Sequence, residues 1–229
     1  MKKHILFYSG GKDSHYVLYK LLRKNIKPIC LNLVPLSFVD GIKYFNTPYK
    51  KELLEIQSKL MGIDIFYFKP EKELMSIFIK NHSLFLEKLF SRLQQLFGDT
   101  DVYIANDKND MRINYKKVKL MKSIAKVNGI NVIFPLKNMD LDDMISETLK
   151  YGIKSVCIGI EKPEFFELVG KTIDFEFLKI IKVSDIKSEN IQSFVIESPL
   201  FNGKKINLNP FKRIKIENSY YLDFSKIKV

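Results

Sequence analysis

The sequence predicts an α/β fold, with an open, mostly parallel, doubly wound sheet in residues 1–161 and a smaller α+β lobe in residues 162–229. Three observations support this prediction: apolar runs recur in the first part, helix-like stretches separate them, and short β-like runs follow after about Lys162. Strands that are covered by helices on both faces are apolar along their whole length. Strands that alternate with helices favour right-handed crossovers and therefore a parallel sheet.

Six apolar runs of the first region are predicted strands, because they are continuous rather than alternating. In chain order they are HILFYS, KPICLNLVPL, IDIFYF, DVYIAN, INVIFPL and KSVCIGI.

The segments between these strands have helical spacing. SHYVLYKLLRK places apolar residues on one face of a helix. TPYKKELLEIQSKLMG has Thr47 as a cap, Pro48 at the first helical position and Gly62 after its end. EKELMSIFIKNHSLFLEKLFSRLQQLFG is interpreted as one long helix or two shorter ones.

The C-terminal lobe has a different order of predicted elements, with helices first and short strands after them. KPEFFELVGKTIDFEFLKIIK is interpreted as a short helical pair. The runs that follow are parted by Pro, Asn and Gly, which is typical of hairpins. They are QSFVIESPLF, GKKINLN, FKRIKIEN and YYLDFSKI.

Composition limits the classes of protein. The chain of 229 residues has a formal net charge of +12, and lysine supplies most of its 38 basic residues. A compositional bias toward lysine and a surface for an acidic partner explain this charge equally well. Cys30 and Cys157 lie in apolar runs without metal-ligand spacing, so we expect two buried thiols. No signal peptide or membrane span is expected, and the predicted location is cytoplasmic.

The turn between the first strand and the first helix carries the strongest functional signal. It consists of Ser9, Gly10, Gly11, Lys12, Asp13 and Ser14. Two glycines allow a sharp turn and a close approach of the backbone to a ligand. The N–H groups of the following helix favour an anion, and Lys12 adds positive charge. Asp13 is expected to cap the helix or to hold Mg²⁺.

The string Ser-Gly-Gly-Lys-Asp-Ser resembles the PP-loop of the N-type ATP pyrophosphatases, which split ATP between its α- and β-phosphates. YFNTPYKKELLEIQSKLMGI, INVIFPLKNMDLDDMISETLKYGIKSVCIGI and FVIESPLF are similar to segments of the diphthine–ammonia ligase family within that superfamily. The resemblance implies the adenine nucleotide alpha hydrolase-like fold and an ATP-dependent, amide-forming ligase that uses Mg²⁺. It also implies translation elongation factor two as the protein substrate.

The resemblance also implies roles for individual residues. Lys12 and Asp13 are the predicted catalytic residues, and Asp13 is the predicted metal ligand. The adenine is expected against Asn32, Leu33 and Val34. The predicted position of the α-phosphate is beside Asn106 and Asp107, where the fourth strand ends.

Two departures from that family keep alternatives open. Asn46 stands where the family usually has His, and Ile186–Ser193 replaces its Gly-Glu-Gly-Gly-Glu stretch. A non-catalytic nucleotide-binding relative and a tRNA-modifying PP-loop enzyme are therefore alternatives. A nucleic-acid partner agrees with the charge but is not the favoured interpretation.

Three further candidates each have two interpretations. His15 is either a phosphate contact or, preferably, an ordinary helix residue. The acids of Asp140–Asp143 form either a metal cluster or, preferably, a helix start that the macrodipole favours. Lys116 and Lys117 contact phosphate or substrate, or belong to a solvated helix face.

Overall fold

The computed structural model describes residues 2–33, 51–68, 81–106, 115–183, 190–208, 212–216 and 219–223. Within these ranges the α-helices are α1 (Lys12–Arg23), α2 (Lys51–Met61), α3 (His82–Phe97), α4 (Tyr115–Val127), α5 (Leu141–Lys150) and α6 (Phe175–Val183). The strands are β1 (Lys3–Phe7), β2 (Ile29–Leu33), β3 (Ile65–Phe68), β4 (Thr100–Tyr103), β5 (Ile130–Ile133), β6 (Lys154–Ile160), β7 (Ile191–Glu197), β8 (Lys212–Ile216) and β9 (Ser219–Asp223).

The first sheet is parallel and has five strands in the order β3-β2-β1-β4-β5. Strand β1 lies at its centre and pairs Ile5 with Ile29 of β2 and with Val102 of β4. The predicted α/β class with a doubly wound parallel sheet is confirmed. The chain proceeds to one side of β1 and later to the other, so the carboxyl end of β1 lies at the topological switch point, where such sheets bind ligands.

The second sheet is antiparallel and has four strands in the order β7-β6-β9-β8. The segment KSVCIGI is a strand, as predicted, but it lies in this second sheet and pairs with β7 and β9. The expectation that it extends the parallel sheet is therefore wrong. A strand that is buried on both faces has the same apolar sequence in either kind of sheet, so sequence pattern alone could not assign its partners.

The C-terminal predictions are confirmed in part. The helical pair is a 3₁₀ turn (Pro163–Leu168) followed by α6, and the hairpin of β8 and β9 forms. The described part of GKKINLN, residues 203–208, is not a strand. It contributes an isolated bridge between Lys205 and Glu197.

The two faces of the parallel sheet pack against different elements. On the first face, α1, α2, α5, α6 and the second sheet share one apolar core, which contains Leu18, Leu54 and Phe194. On the second face, α3 and α4 cover the strands, and Phe90, Leu93 and Ala125 belong to the core there. Helix α1 is therefore enclosed between the parallel sheet and the second sheet, which buries most of its first two turns.

The helix ends agree with the sequence where the structure describes them. Gly62 has φ +63° directly after α2, whereas Thr47 and Pro48 lie outside the described residues. Helix α3 begins after Asn81, whose side chain accepts a hydrogen bond from the Leu84 N–H. Asp140 and Asp143 form a reciprocal capping box at the start of α5, so the helix-start interpretation of these acids is confirmed.

The two cysteines are free and buried, as expected, and burial raises the pKa of each thiol to about 12. Among the helices that the structure describes, none combines the length and the apolar character needed to cross a membrane.

Candidate functional site

The loop that joins β1 to α1 is held from both sides. Gly10 has φ +78°, and its carbonyl oxygen accepts hydrogen bonds from the N–H of Val195 (3.0 Å) and from Nε2 of Gln57 (3.1 Å). A Cβ atom at residue 10 would lie 2.6 Å from Cδ2 of Leu54. Glycine is therefore required here both by the backbone conformation and by the lack of space.

The beginning of α1 faces strand β7. The N–H of Lys12, which has no partner within its own helix, donates to Oγ of Ser193 at 3.0 Å. A Cβ atom on Gly11 would lie 3.0 Å from the Ser193 carbonyl oxygen. Within the described part of the chain, the N–H groups of Asp13 and Ser14 have no hydrogen-bond acceptor. Two backbone donors at the positive end of the helix thus stay available to an anion.

The two serines of the loop bond to each other. Oγ of Ser14 accepts from the N–H of Ser9 (3.2 Å) and lies 3.1 Å from Oγ of Ser9. Because the Ser14 hydroxyl donates to the Gly11 carbonyl oxygen (3.3 Å), the Ser9 hydroxyl is the donor in the serine pair. This closed set of bonds fixes the loop across the turn.

Lys12 and Asp13 form an ion pair with a distance of 2.6 Å between Nζ and Oδ1. The Lys12 side chain is 5% exposed and that of Asp13 is 30% exposed. Lys12 therefore already has a counter-charge, and Asp13 keeps part of its carboxylate open to solvent. Within the described residues, no group of three or more His, Cys, Asp or Glu side chains forms a metal cluster.

A buried chain of hydrogen bonds connects the loop to the second sheet. Nε2 of Gln57 donates to the carbonyl oxygens of Gly10 and Val195, so Oε1 is the remaining acceptor of this amide. The Tyr8 hydroxyl donates to that Oε1 at 2.8 Å. Its oxygen lies 2.9 Å from Nδ1 of His15, which must then be the donor in that contact.

The order of donors fixes the tautomer of His15. With the proton on Nδ1, Nε2 accepts from the Ser198 hydroxyl at 2.7 Å. His15 is fully buried, and burial lowers its pKa to about 3, so the ring is neutral. Both ring nitrogens already have partners, so His15 is a buried helix residue, as preferred, and contacts no phosphate.

The other predicted site residues lie at the same sheet edge where they are described. Asn32, at the end of β2, donates from Nδ2 to the Tyr8 carbonyl oxygen at 2.8 Å and is 8% exposed. Leu33 packs on the second-face core. The N–H of Asn106, just beyond β4, donates to the Ile104 carbonyl oxygen. The structure thus brings Asn32, Asn106 and the loop to the carboxyl ends of three adjacent strands.

Some predicted residues cannot be placed. Val34 and Asp107 lie outside the described residues, and the side chains of Lys116 and Lys117 are likewise not described. Their predicted roles stay predictions.

Sequence reasoning missed four polar residues that build the site: Tyr8, Gln57, Ser193 and Ser198. Ser198 could have been noticed, because a serine before Pro199 is a typical start of a helical turn, and its Oγ accepts from the Leu200 N–H. Ser198 also lines a cavity of about 350 Å³ together with Glu197 and Lys204. Ser193 gave no signal, because its partner lies 181 positions away.

Comparison with known proteins gives a likeness of structure only. Neither a protein-family model nor a curated protein matches the sequence. Twelve chains of solved structures match. One is the crystal structure of a predicted subunit of tRNA methyltransferase from Methanocaldococcus jannaschii, with 15% sequence identity and a TM-score of 0.49. The match covers 86% of this chain and 97% of the other.

Proposed function

We propose that this chain binds an adenine nucleotide at the carboxyl edge of its parallel sheet, with the phosphates at residues 9–14. The observation that carries the proposal is the open start of α1, where the N–H groups of Asp13 and Ser14 have no acceptor among the described residues, directly after the Gly10–Gly11 turn. Backbone donors at a helix N-terminus bind phosphate groups because the partial charges there are positive. The position at the switch point is where nucleotides bind in sheets of this kind.

The loop sequence and the family resemblance lead to a more specific proposal. The nucleotide is ATP, and a carboxylate or amide oxygen of the substrate attacks its α-phosphorus, so that an adenylate forms and pyrophosphate leaves. Ammonia or an amine then attacks the carbon of the adenylated group, so that a new C–N bond forms and AMP leaves. Translation elongation factor two is the protein substrate that the resemblance implies. Lys12 would stabilise the charge of the leaving pyrophosphate, and no side-chain nucleophile is needed.

Asp13 fits a role in holding Mg²⁺. Magnesium in nucleotide sites takes one or two carboxylates, keeps several waters and uses the phosphates as further ligands. Asp13 supplies one carboxylate that is partly exposed at the start of α1, and its contact with Lys12 can be shared. The metal would supply additional neutralisation of the phosphates.

A second candidate function is nucleotide binding without catalysis. It is favoured by Ser193, whose hydroxyl already occupies the N–H of Lys12, the first donor of the helix. Ser193 is the last residue of Ile186–Ser193, the segment that departs from the family pattern.

Calorimetry with ATP and AMP tests the binding site. Asp13→Ala removes the proposed Mg²⁺ ligand, and Gly11→Val places atoms against Ser193, so both should weaken binding of ATP with Mg²⁺ at least tenfold. Asp174→Ala is the matched control, because Asp174 accepts from the Phe177 N–H at the start of α6, far along the chain from the loop. Full affinity in both loop variants would remove the proposed site.

Product analysis separates the two candidate functions. The ligase should release AMP and pyrophosphate when the amine and the carboxylate substrate are present, whereas the non-catalytic relative should bind ATP without turnover. ADP and orthophosphate as main products would contradict the proposed ligase.

A further inference from the structure

A group of aromatic rings and cations lies along the later turns of α1, away from the loop, and ranges from the buried Tyr16 to the exposed Arg23. Tyr16, Tyr19, Lys20 and Arg23 share one face of α1, because they are spaced three and four residues apart. Tyr151, directly after α5, packs beside them with ring-centroid distances of 5.1 Å to Tyr19 and 6.2 Å to Tyr16. We call these residues, together with Lys150, the Tyr151 cluster.

Three cations converge on the Tyr151 ring. Nζ of Lys20 lies 5.2 Å from the ring centroid and Nζ of Lys150 lies 5.6 Å from it. The guanidinium carbon of Arg23 lies 5.8 Å from the same centroid. Each of the three cations is close enough for a cation–π contact with this ring.

One carboxylate lies within the cluster. Glu147 accepts a hydrogen bond from the Tyr16 hydroxyl at 2.7 Å and lies 3.4 Å from Nζ of Lys150. Lys20 and Arg23 have no ion pair with any residue that the structure describes. The cluster therefore keeps an excess of positive charge.

Further cations extend this positive surface toward the cavity beside Ser198. Gly152, next to Tyr151, lines that cavity together with Lys204 and Lys205. The only carboxylate among its described lining residues is Glu197, which pairs with Lys154 at 3.1 Å. The helix macrodipole accounts for cations at the end of a single helix. It does not account for Lys204 and Lys205, which lie outside the helices. Nor does it account for the partly exposed rings of Tyr19 and Tyr151 beside the cations.

We propose that the Tyr151 cluster binds a single-stranded nucleic acid, with bases stacked on Tyr19 and Tyr151 and phosphates paired with Lys20, Arg23 and Lys150. Aromatic rings in a basic surface are the features that bind single strands, because every base presents a flat face and every linkage a negative charge. A duplex hides its base faces, so these rings cannot stack on its bases. The site is separate from the nucleotide loop and does not depend on the proposed function.

Fluorescence anisotropy with a labelled 12-nucleotide oligo(U) and its oligo(dT) counterpart tests this site. Loss of two phosphate contacts in Lys20→Gln/Arg23→Gln should weaken binding at least tenfold and reduce the slope of log affinity against log salt by about 1.4. Tyr151→Leu should weaken binding five- to tenfold and leave the salt slope unchanged, because it removes stacking and no charge. Binding of either oligonucleotide with these effects supports the proposal.

The matched control is Lys119→Gln/Lys126→Gln, which removes the same charge from the exposed side of α4. We expect less than a twofold change. An equal loss in the control would show unspecific attraction to a basic protein and would overturn the proposal, as would tighter binding of a duplex of the same length. Lys20 is half-buried and Arg23 is exposed, and a glutamine at each position keeps much of the side-chain length. This double variant therefore tests the proposal even if Tyr151→Leu does not fold, and its ATP affinity should stay unchanged.

Discussion

The two faces of the parallel sheet differ in where their covering comes from. On the second face, α3 packs on α4, α4 packs on β5, which follows it in the chain, and the core is apolar. On the first face, α1 is covered by strand β7 from the far end of the chain, and the interface contains the polar groups of His15, Gln57 and Ser198.

This difference indicates that the two faces have different structural roles. The second face resembles an ordinary packed core, which stabilises the sheet through apolar contacts. The first face fixes the geometry of one loop through buried hydrogen bonds, which are costly when a partner is lost. Changes to the first-face groups that hold the loop should therefore affect both stability and nucleotide binding, whereas matched changes on the second face should affect stability alone.

The largest expected effect comes from Gly10→Ala. A Cβ atom there would meet Leu54 at 2.6 Å in a backbone with φ +78°, so we expect a loss of about 3 kcal/mol or more of unfolding free energy. Gly129→Ala is the matched variant after α4, because Gly129 has φ +66° and nothing within 4 Å of the added atom. It should cost about 1 kcal/mol. Equal costs in urea unfolding would contradict the close fit at Gly10.

The next effect is a pH dependence that His15 causes. Its pKa is lowered from 6.5 to about 3 by burial, so below pH 6.5 the unfolded chain binds a proton that the folded chain does not. Stability is therefore complete above pH 6.5 and falls as the pH drops, by about 1.4 kcal/mol per unit at most. His15→Gln should flatten this decline in urea unfolding between pH 7 and pH 4.5.

His4→Gln is the control, since His4 is partly exposed beside Asp101. It should leave the decline that wild type shows between pH 7 and pH 4.5 in place. Parallel pH profiles for wild type and His15→Gln would show that His15 is not buried as a neutral ring.

The smallest effect compares two helix caps. Ser193→Ala removes the acceptor for the Lys12 N–H, and Asn81→Ala removes the acceptor for the Leu84 N–H, so each should cost about 1 kcal/mol. Ser193→Ala should also raise ATP affinity a few fold, because the Lys12 N–H becomes available to a phosphate. Asn81→Ala should leave that affinity unchanged. Unchanged affinity in Ser193→Ala would show that the Lys12 N–H takes no part in binding.

The elements of the parallel sheet could be predicted because each depends on local signals. The run HILFYS and the spacing of Tyr16, Val17 and Leu21 indicate a strand and a helix without reference to the rest of the chain. Strand pairing is a different problem, because β6 is as apolar as the parallel strands, yet its partners are β7 and β9. Those partners follow it in the chain, and no local pattern marks them.

In the candidate site, too, the contiguous residues could be predicted and their distant partners could not. Residues 9–14 are contiguous, so their composition reveals a turn that suits an anion. The groups that hold this turn are Tyr8, Gln57, Ser193 and Ser198, which come from three separate parts of the chain. Sequence spacing contains no information on which distant serine reaches Lys12 or His15.

The bond between Val195 and Gly10 has a consequence for biosynthesis. Ser193 is translated 181 residues after Lys12, and Val195 and Ser198 follow it. A nascent chain that ends before Ile191 can pair β1 with β2 and β4, yet it lacks the strand that fixes the Gly10 carbonyl. Domains fold during synthesis from the N-terminus onward. In this protein residues 9–14 should therefore reach their final arrangement only after Ser193, Val195 and Ser198 have left the ribosome.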